Sequence, residues 1–258
     1  MDLVDVERVR VAHDRGDLTL APGEIVLGGG TWLFSEPQPG THGLVDLTGM
    51  GWDPVVALAD GGLSIAATCT FDRLRAAGHP LFGPACDALL GSWKIHRFAT
   101  VGGNICLALP AGPMTSLAAG LGGVAVIWTA QGERRMPVAA FVTGVRRTAL
   151  APGEVLRAIE LPGTALRERS AMRRASLAEL GRSAALVIGR RDGDGFVLTV
   201  TAATPRPYVL TYDVVPTAER LTADVDAIGD WYDDVHGAPD WRHAMTGRFA
   251  LELLEELG

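Results

Sequence analysis

The sequence is poor in the features that would make it a disulfide protein, a cluster protein or a nucleic-acid binder. It has three cysteines, Cys69, Cys86 and Cys106, and none lies in a Cys-x-x-Cys pair. An odd count without paired spacing argues against a disulfide framework and against an iron–sulfur cluster held by this chain alone. Each is expected to be a small buried hydrophobe. The formal net charge is -7, and basic residues gather only in short pairs such as Arg134-Arg135 and Arg146-Arg147. A nucleic-acid partner would leave a basic patch, so that class is set aside. No stretch reaches the roughly 18 uncharged apolar residues that span a bilayer. The apolar run from Met114 to Trp128 is broken by Gly120, Gly122 and Gly123, and reads as a core helix followed by a core strand. The start, Met1 to Asp5, carries acids where a signal peptide carries basic residues. A cytoplasmic protein is expected.

The most informative absence is catalytic. There is no Gly-x-Ser-x-Gly elbow, no His-Glu-x-x-His, and no group of His and carboxylates at metal-ligand spacing. No residue is therefore assigned as acid, base, nucleophile or metal ligand. If the chain takes part in redox chemistry, a cofactor must perform it, with the protein supplying binding, orientation and electrostatics.

What the chain does have is ordinary globular material. Of its 258 residues, 48% are hydrophobic and 21% charged, enough for one large domain or two to three small ones with their own cores. Residues 1–54 read as strand, short helix, strand, glycine-rich loop and strand, with Leu18-Thr19-Leu20 and Glu24–Leu27 flanking the turn Ala21-Pro22-Gly23. Residues 55–163 open with a turn at Asp60-Gly61-Gly62 and a strand from Leu63 to Thr68. A helix capped by Thr70 follows, then a second helix over 83–90, a glycine-dense loop at Thr100–Asn104, a helix over 115–120, and strands over 124–129, 134–137 and 155–161. Pro162-Gly163 marks a boundary. Residues 164–258 hold strands over 184–189 and 196–203 joined by Asp192-Gly193-Asp194-Gly195, a helix over 221–232, and an amphipathic helix over 245–257.

Two glycine motifs carry the chemistry. In Val26-Leu27-Gly28-Gly29-Gly30-Thr31 an apolar strand runs into three glycines. Such a turn can aim consecutive N–H groups at one point and so bind an anion such as phosphate; it can also be a plain strand-end turn. Ala99-Thr100-Val101-Gly102-Gly103-Asn104 is a second loop of the same kind. Two convergent loops could hold a pyrophosphate from both sides. Neither is a P-loop or a Gly-x-Gly-x-x-Gly fingerprint.

These motifs occur in order with Leu44-Val45-Asp46-Leu47, Gly61–Thr68, Arg97–Cys106 and Pro152–Pro162. The series resembles the FAD-binding, medium-sized subunit of molybdenum hydroxylases of the xanthine or carbon monoxide dehydrogenase type. The resemblance covers about residues 1–165 well and the remainder in layout. It implies an α+β fold: two subdomains that sandwich FAD, of the PCMH/vanillyl-alcohol-oxidase type, followed by a C-terminal α/β domain as in CO dehydrogenase flavoproteins. It also implies roles. Val26, Leu27, Gly28, Gly29, Gly30, Thr31, Trp32 and Leu33 would bind the FAD pyrophosphate and flavin edge. Thr100, Gly102, Gly103 and Asn104 would hold the other side. Leu156 would pack near the flavin, and Arg173 falls where the family often has a basic residue near the cofactor. The implied partners are a [2Fe–2S] subunit and a molybdopterin-binding large subunit, with NAD or another electron acceptor at the end of the chain.

Two positions depart from the family pattern. Trp32 stands where an acid usually follows Gly-Gly-Thr, and Pro113 stands where an acid usually contacts the cofactor's sugar hydroxyls. Other residues carry two readings. His96 could attach flavin or shuttle protons, but a surface or interface histidine is the default. Asp46 is expected to cap the following turn. Core packing is the default for Trp52 and Trp93, whereas Trp32 could stack on a cofactor ring or pack inward. Arg182 and Arg206 could form ion pairs at a subunit contact or be solvated. Three functions stay open at this point: an electron-transfer flavoprotein subunit, a self-contained flavin oxidoreductase, or a scaffold that has lost FAD.

Overall fold

Parallel pairing organises the first part of the chain and antiparallel pairing the rest. The computed structural model describes residues 3–179 and 181–258; Met1, Asp2 and Leu180 lie outside the described residues, and with them the first part of the acidic start. The first sheet has the order Arg8–Val11, Gly43–Asp46, Glu24–Leu27, all parallel. Leu44 and Val45 of the middle strand are both buried, as in a strand covered on two faces. The expected strand over Leu18–Leu20 is not formed; Gly16–Leu18 is a turn of 3-10 helix. Asp14 accepts from the N–H groups of Gly16 and Asp17, and Asp17 accepts from His13. These local side-chain bonds outcompete the ladder.

Glu24 ties this sheet together. Its side chain is only 3% exposed and accepts from Arg10, at 2.9 Å, and from Arg8, at 3.0 Å. The Arg10 guanidinium, then the Ala21 N–H, hold the carboxyl down to about 2.

The second sheet is antiparallel, in the order Val55–Ala57, Leu63–Ala66, Val155–Leu161, Val124–Thr129, Gly132–Pro137. The helices Phe71–Arg75, Phe82–Asp87, Val101–Leu107 and Pro113–Gly120 share its core. Thr70 caps the first of them through Arg73 N–H, as its position suggests. The six-residue helix Trp93–Phe98 was not expected, and it buries none of its residues. Trp93 is 65% exposed, which overturns its expected place in the core. Trp52 does pack inward, edge-on to Trp128 at 5.4 Å with the Arg157 guanidinium 4.1 Å above its ring.

The third sheet is an antiparallel meander of Ser170–Ala175, Ala185–Asp192, Gly195–Thr201 and Tyr208–Tyr212. Gly193, at φ 60°, makes the tight turn between the two central strands. Alternate residues serve two cores. Val187, Leu198 and Val200 face the helices Ala218–Asp226 and Pro239–Leu257, while Leu186 and Ile188 face the helix Pro113–Gly120. Both faces are covered, so these strands read as unbroken apolar runs. The helix expected over 221–232 begins earlier and stops at Asp226, before Gly229. The last helix begins at Pro239, six residues ahead of the amphipathic pattern, because proline suits the first helical turn.

The depressed carboxyl of Glu24 has a pH signature, and Glu154, held to about 2 by Arg134, shares it. Folded, both stay ionised to about pH 2; unfolded, they take up protons near 4.5. Their contribution to stability is present above that unfolded value and is lost as pH falls toward 2. Urea unfolding midpoints should therefore decline between about pH 4.5 and 2, and the double variant Glu24→Gln/Glu154→Gln should show a flatter decline. An unchanged acid slope in the double variant would remove these two groups from the account.

Candidate functional site

The loop Gly28–Leu33 leaves the parallel sheet at the carboxyl end of the strand Glu24–Leu27, the end at which α/β sheets hold ligands. It lies directly on the segment that precedes the second glycine motif. A Cβ on Gly29 would sit 1.5 Å from the Phe98 carbonyl oxygen, and one on Gly28 would sit 2.8 Å from the Thr100 hydroxyl. Only glycine permits that approach. The two motifs, about 70 residues apart in sequence, are thus brought into contact.

Their backbone chemistry differs. Among the described residues, no N–H group from Gly28 to Leu33 donates to a protein acceptor. In the second motif the N–H groups from Val101 to Asn104 are taken: Val101 N–H by the Cys69 carbonyl at 2.8 Å, Gly102 by Ala67 at 2.9 Å, Gly103 by the Thr100 hydroxyl at 3.1 Å, and Asn104 by the Thr100 carbonyl at 2.9 Å. The expected second loop is in fact the first turn of the helix Val101–Leu107, with Thr100 as its cap. Gly102 is glycine for packing, since a Cβ there would lie 2.5 Å from the Ala67 Cβ.

A cavity of about 580 Å³ opens over these elements, within the range of roughly 300–1,000 Å³ common for ligand sites. Val26 to Leu33, Thr100, Gly103 and Asn104 line it. Three of the residues expected near the cofactor do not. Gly102 is turned onto Ala67. Leu156 is buried in the central sheet opposite Ile127. Arg173 donates to Glu252 at 3.1 Å and Glu256 at 2.5 Å on the last helix.

Asn104 does two things at this wall. Its Oδ1 accepts from Met114 N–H at 3.0 Å and so caps the helix Pro113–Gly120, whose own cap residue is Gly112. Its amide NH2 is left for the cavity. Pro113 is the first residue of that helix and is buried, so position 113 does not line the cavity, although Pro110, Ala111 and Gly112 do. His96 bonds the Leu89 carbonyl at 3.3 Å and lies outside the lining, and Asp46 caps the next turn through Thr48 N–H at 2.8 Å. Cys106 is in the wall, but burial pushes its thiol up to about 12, leaving a neutral group rather than a nucleophile. Cys69 and Cys86 are buried too, their thiols raised to about 12 and about 11.

The far wall was not read from the sequence. It comes from the third sheet and the segments after it, through Arg182, Ser183, Tyr232, Asp234 and Arg242. Arg242 is 1% exposed and donates to the carbonyls of Gly237, Ala184 and Ala202 and to the Asp234 carboxylate. This buried charge is matched by its acceptors and pins two loops at the cavity's end. No local motif announces it; Arg242 is one arginine within a long helix. Among the described residues no group of three His, Cys, Asp or Glu could hold a metal ion.

The model of the family described as the FAD binding domain in molybdopterin dehydrogenase matches residues 18–164. This chain belongs to that family. The solved structures that share its fold include CO dehydrogenase from Oligotropha carboxidovorans, at a TM-score of 0.86 and 20% identity over 100% of both chains. Quinoline 2-oxidoreductase from Pseudomonas putida 86 matches at 0.82 and 18% identity, over 100% of this chain and 98% of the other. CO dehydrogenase from Hydrogenophaga pseudoflava matches at 0.82 and 20%, over 98% and 97%. No curated protein matches the sequence. The family and fold implied by the motifs both hold, and the family's domain binds FAD. The residues present fit that group. The unpartnered N–H groups of Gly28–Leu33 suit a diphosphate, and the Asn104 amide and the apolar Leu89 and Ile95 suit a ring system.

Asn104→Ala should cost about 0.5–2 kcal/mol through loss of the helix cap, read as a lower denaturant midpoint, and Asn104→Asp should recover most of it. An alanine variant as stable as the parent would show that the Met114 bond is not a working cap.

Proposed function

We propose that this chain is the FAD-binding electron-transfer subunit of a molybdenum hydroxylase complex, carrying electrons from [2Fe–2S] clusters on a partner subunit to a terminal acceptor. The complex would be a cytoplasmic hetero-oligomer that also holds a molybdopterin-binding large subunit. Among the described residues no helix is long and apolar enough to cross a membrane. The observation that carries the proposal is the run of unpartnered N–H groups from Gly28 to Leu33 on the floor of a cavity in a chain of this family. Bound FAD supplies the one- and two-electron chemistry that amino-acid side chains lack.

The chain's own residues then have the following work. Gly28 to Leu33 bind the diphosphate through backbone N–H groups, with Val26 and Leu27 leading into the loop. Phe98 and Thr100 hold the loop's opposite side by contact, Gly103 lines the cavity beside them, and Asn104 presents its amide. Gly112, ahead of the helix Pro113–Gly120, and Arg182, Ser183 and Ala202, in the connections of the third sheet, complete the lining. The division into subdomains 1–54 and 55–163 and a C-terminal domain 164–258 is part of this reading, with the cavity at their meeting place.

The self-contained oxidoreductase gains no support from the carboxylate of the lining, since Asp234 already accepts from Arg242 and from the His236 backbone N–H. A base so engaged is poorly placed to take a substrate proton.

Titration of the purified apoprotein should give saturable FAD binding, followed by quenching of flavin fluorescence. Gly29→Ala should abolish it while the fold survives, because the added methyl must displace the loop from Phe98. The pure subunit loaded with FAD should not be reduced by a purine, aldehyde or N-heterocycle. Substrate-dependent bleaching of the flavin in the single subunit would sink the relay reading, and a folded protein without saturable FAD binding would sink the cofactor assignment.

A further inference from the structure

The wall facing the glycine loop carries positive charge that the structure does not neutralise. Arg182 lines the cavity and is exposed, and among the described residues no carboxylate lies within ion-pair range of it. Its guanidinium carbon sits 5.5 Å from the centre of the Trp32 ring. Arg146, also in the lining, has only a loose partner in Glu36 at 3.8 Å. The other arginine of the lining, Arg242, is fully engaged in the fold.

Trp32 belongs to the loop with unpartnered N–H groups, yet its indole N–H is buried without a partner. A tryptophan placed for hydrogen bonding to a ligand would show that edge. One of its ring faces instead carries Arg182. A guanidinium held on an indole face is favourable, by about 0.5–2 kcal/mol depending on how far it is desolvated. Such a platform holds an otherwise mobile side chain in one place, which lowers the entropy lost when the charge meets an anion.

We propose that Trp32 is a platform that positions Arg182, and that Arg182 closes on the ligand's diphosphate from the C-terminal side of the cavity, opposite the backbone N–H groups of Gly28–Leu33. The inference rests on the reading of this cavity as the FAD site and adds to it a charged residue and its support. Trp32 is then a positioning residue, and its bulk has a purpose in a loop otherwise built from small residues. It also explains how the site does without an acceptor at position 113: affinity is supplied by charge on the diphosphate rather than by a bond to the sugar.

The test is FAD titration of the intact chain at low and high salt, with ADP as a competitor that carries the diphosphate and no flavin. Arg182→Gln should weaken FAD and ADP by a similar factor, roughly tenfold or more for one charge-assisted contact, and should flatten the salt dependence of binding. Trp32→Ala should reproduce part of both losses, and Trp32→Phe, which keeps an aromatic face but has no N–H, should restore them. An Arg182→Gln protein with the parent's affinity and salt dependence overturns the proposal while leaving the FAD site intact. A Trp32→Phe protein as weak as Trp32→Ala overturns the platform role and points to the indole N–H. A parent protein that binds no FAD removes the cofactor reading itself. Arg182 is exposed, so its variant should fold; circular dichroism of all three variants checks this.

Discussion

The candidate site depends on one close approach, that of the Gly28–Gly29 backbone to the segment Phe98–Thr100. The loop after the first sheet meets there the segment between the helices Trp93–Phe98 and Val101–Leu107, with no side chain on the glycines to part them. The distances leave no room for even a methyl group at Gly29. The loop so held has no protein acceptor for its N–H groups among the described residues, and it lines the cavity.

The two glycine motifs divide the work unequally. The first leaves its N–H groups free from Gly28 to Leu33, and the second gives those from Val101 to Asn104 to the protein, to Cys69, Ala67 and Thr100. A fixed wall needs satisfied donors, because a buried unpaired N–H is costly. A binding loop needs the reverse, at a position where a ligand or water can reach. The charge distribution follows the same division. Glu24, Arg8 and Arg10 are paired within the first sheet, whereas Arg182, across the cavity, has no carboxylate among the described residues.

Much of this was legible in the sequence because it was written locally. The Thr70 cap, the Gly193 turn and the glycines at 28–30 are short-range signals, and each leads to the feature that forms. The failures have physical causes. Gly102-Gly103 looks like a loop, yet it starts a helix: Thr100 caps it and Ala67 demands the missing side chain. The helix Trp93–Phe98 buries none of its residues, so it has no periodic apolar face to read. Arg173 is expected near the cofactor from the resemblance, but its guanidinium pairs with Glu252 and Glu256 on the last helix. The far wall of the cavity draws on residues from 182 to 242, and only the folding of the third sheet gathers them.

The helix Pro113–Gly120 has a further consequence. At its start it is capped by Asn104, in the cavity wall. Along its length it lies on the third sheet, where the Ser116 and Thr201 hydroxyls meet at 2.6 Å and Gly120 leaves space for Ile188. In sequence the helix precedes the Pro162-Gly163 boundary, but in packing it belongs to both sides. The last third of the chain is therefore not an exchangeable module. Grafting the corresponding piece of a relative after Gly163 would set a foreign sheet against Ser116 and Gly120, and the misfit would be transmitted along the helix to Asn104. Residues on the two sides of that joint are bound to change together, and the cavity is where an uncoordinated change would be felt.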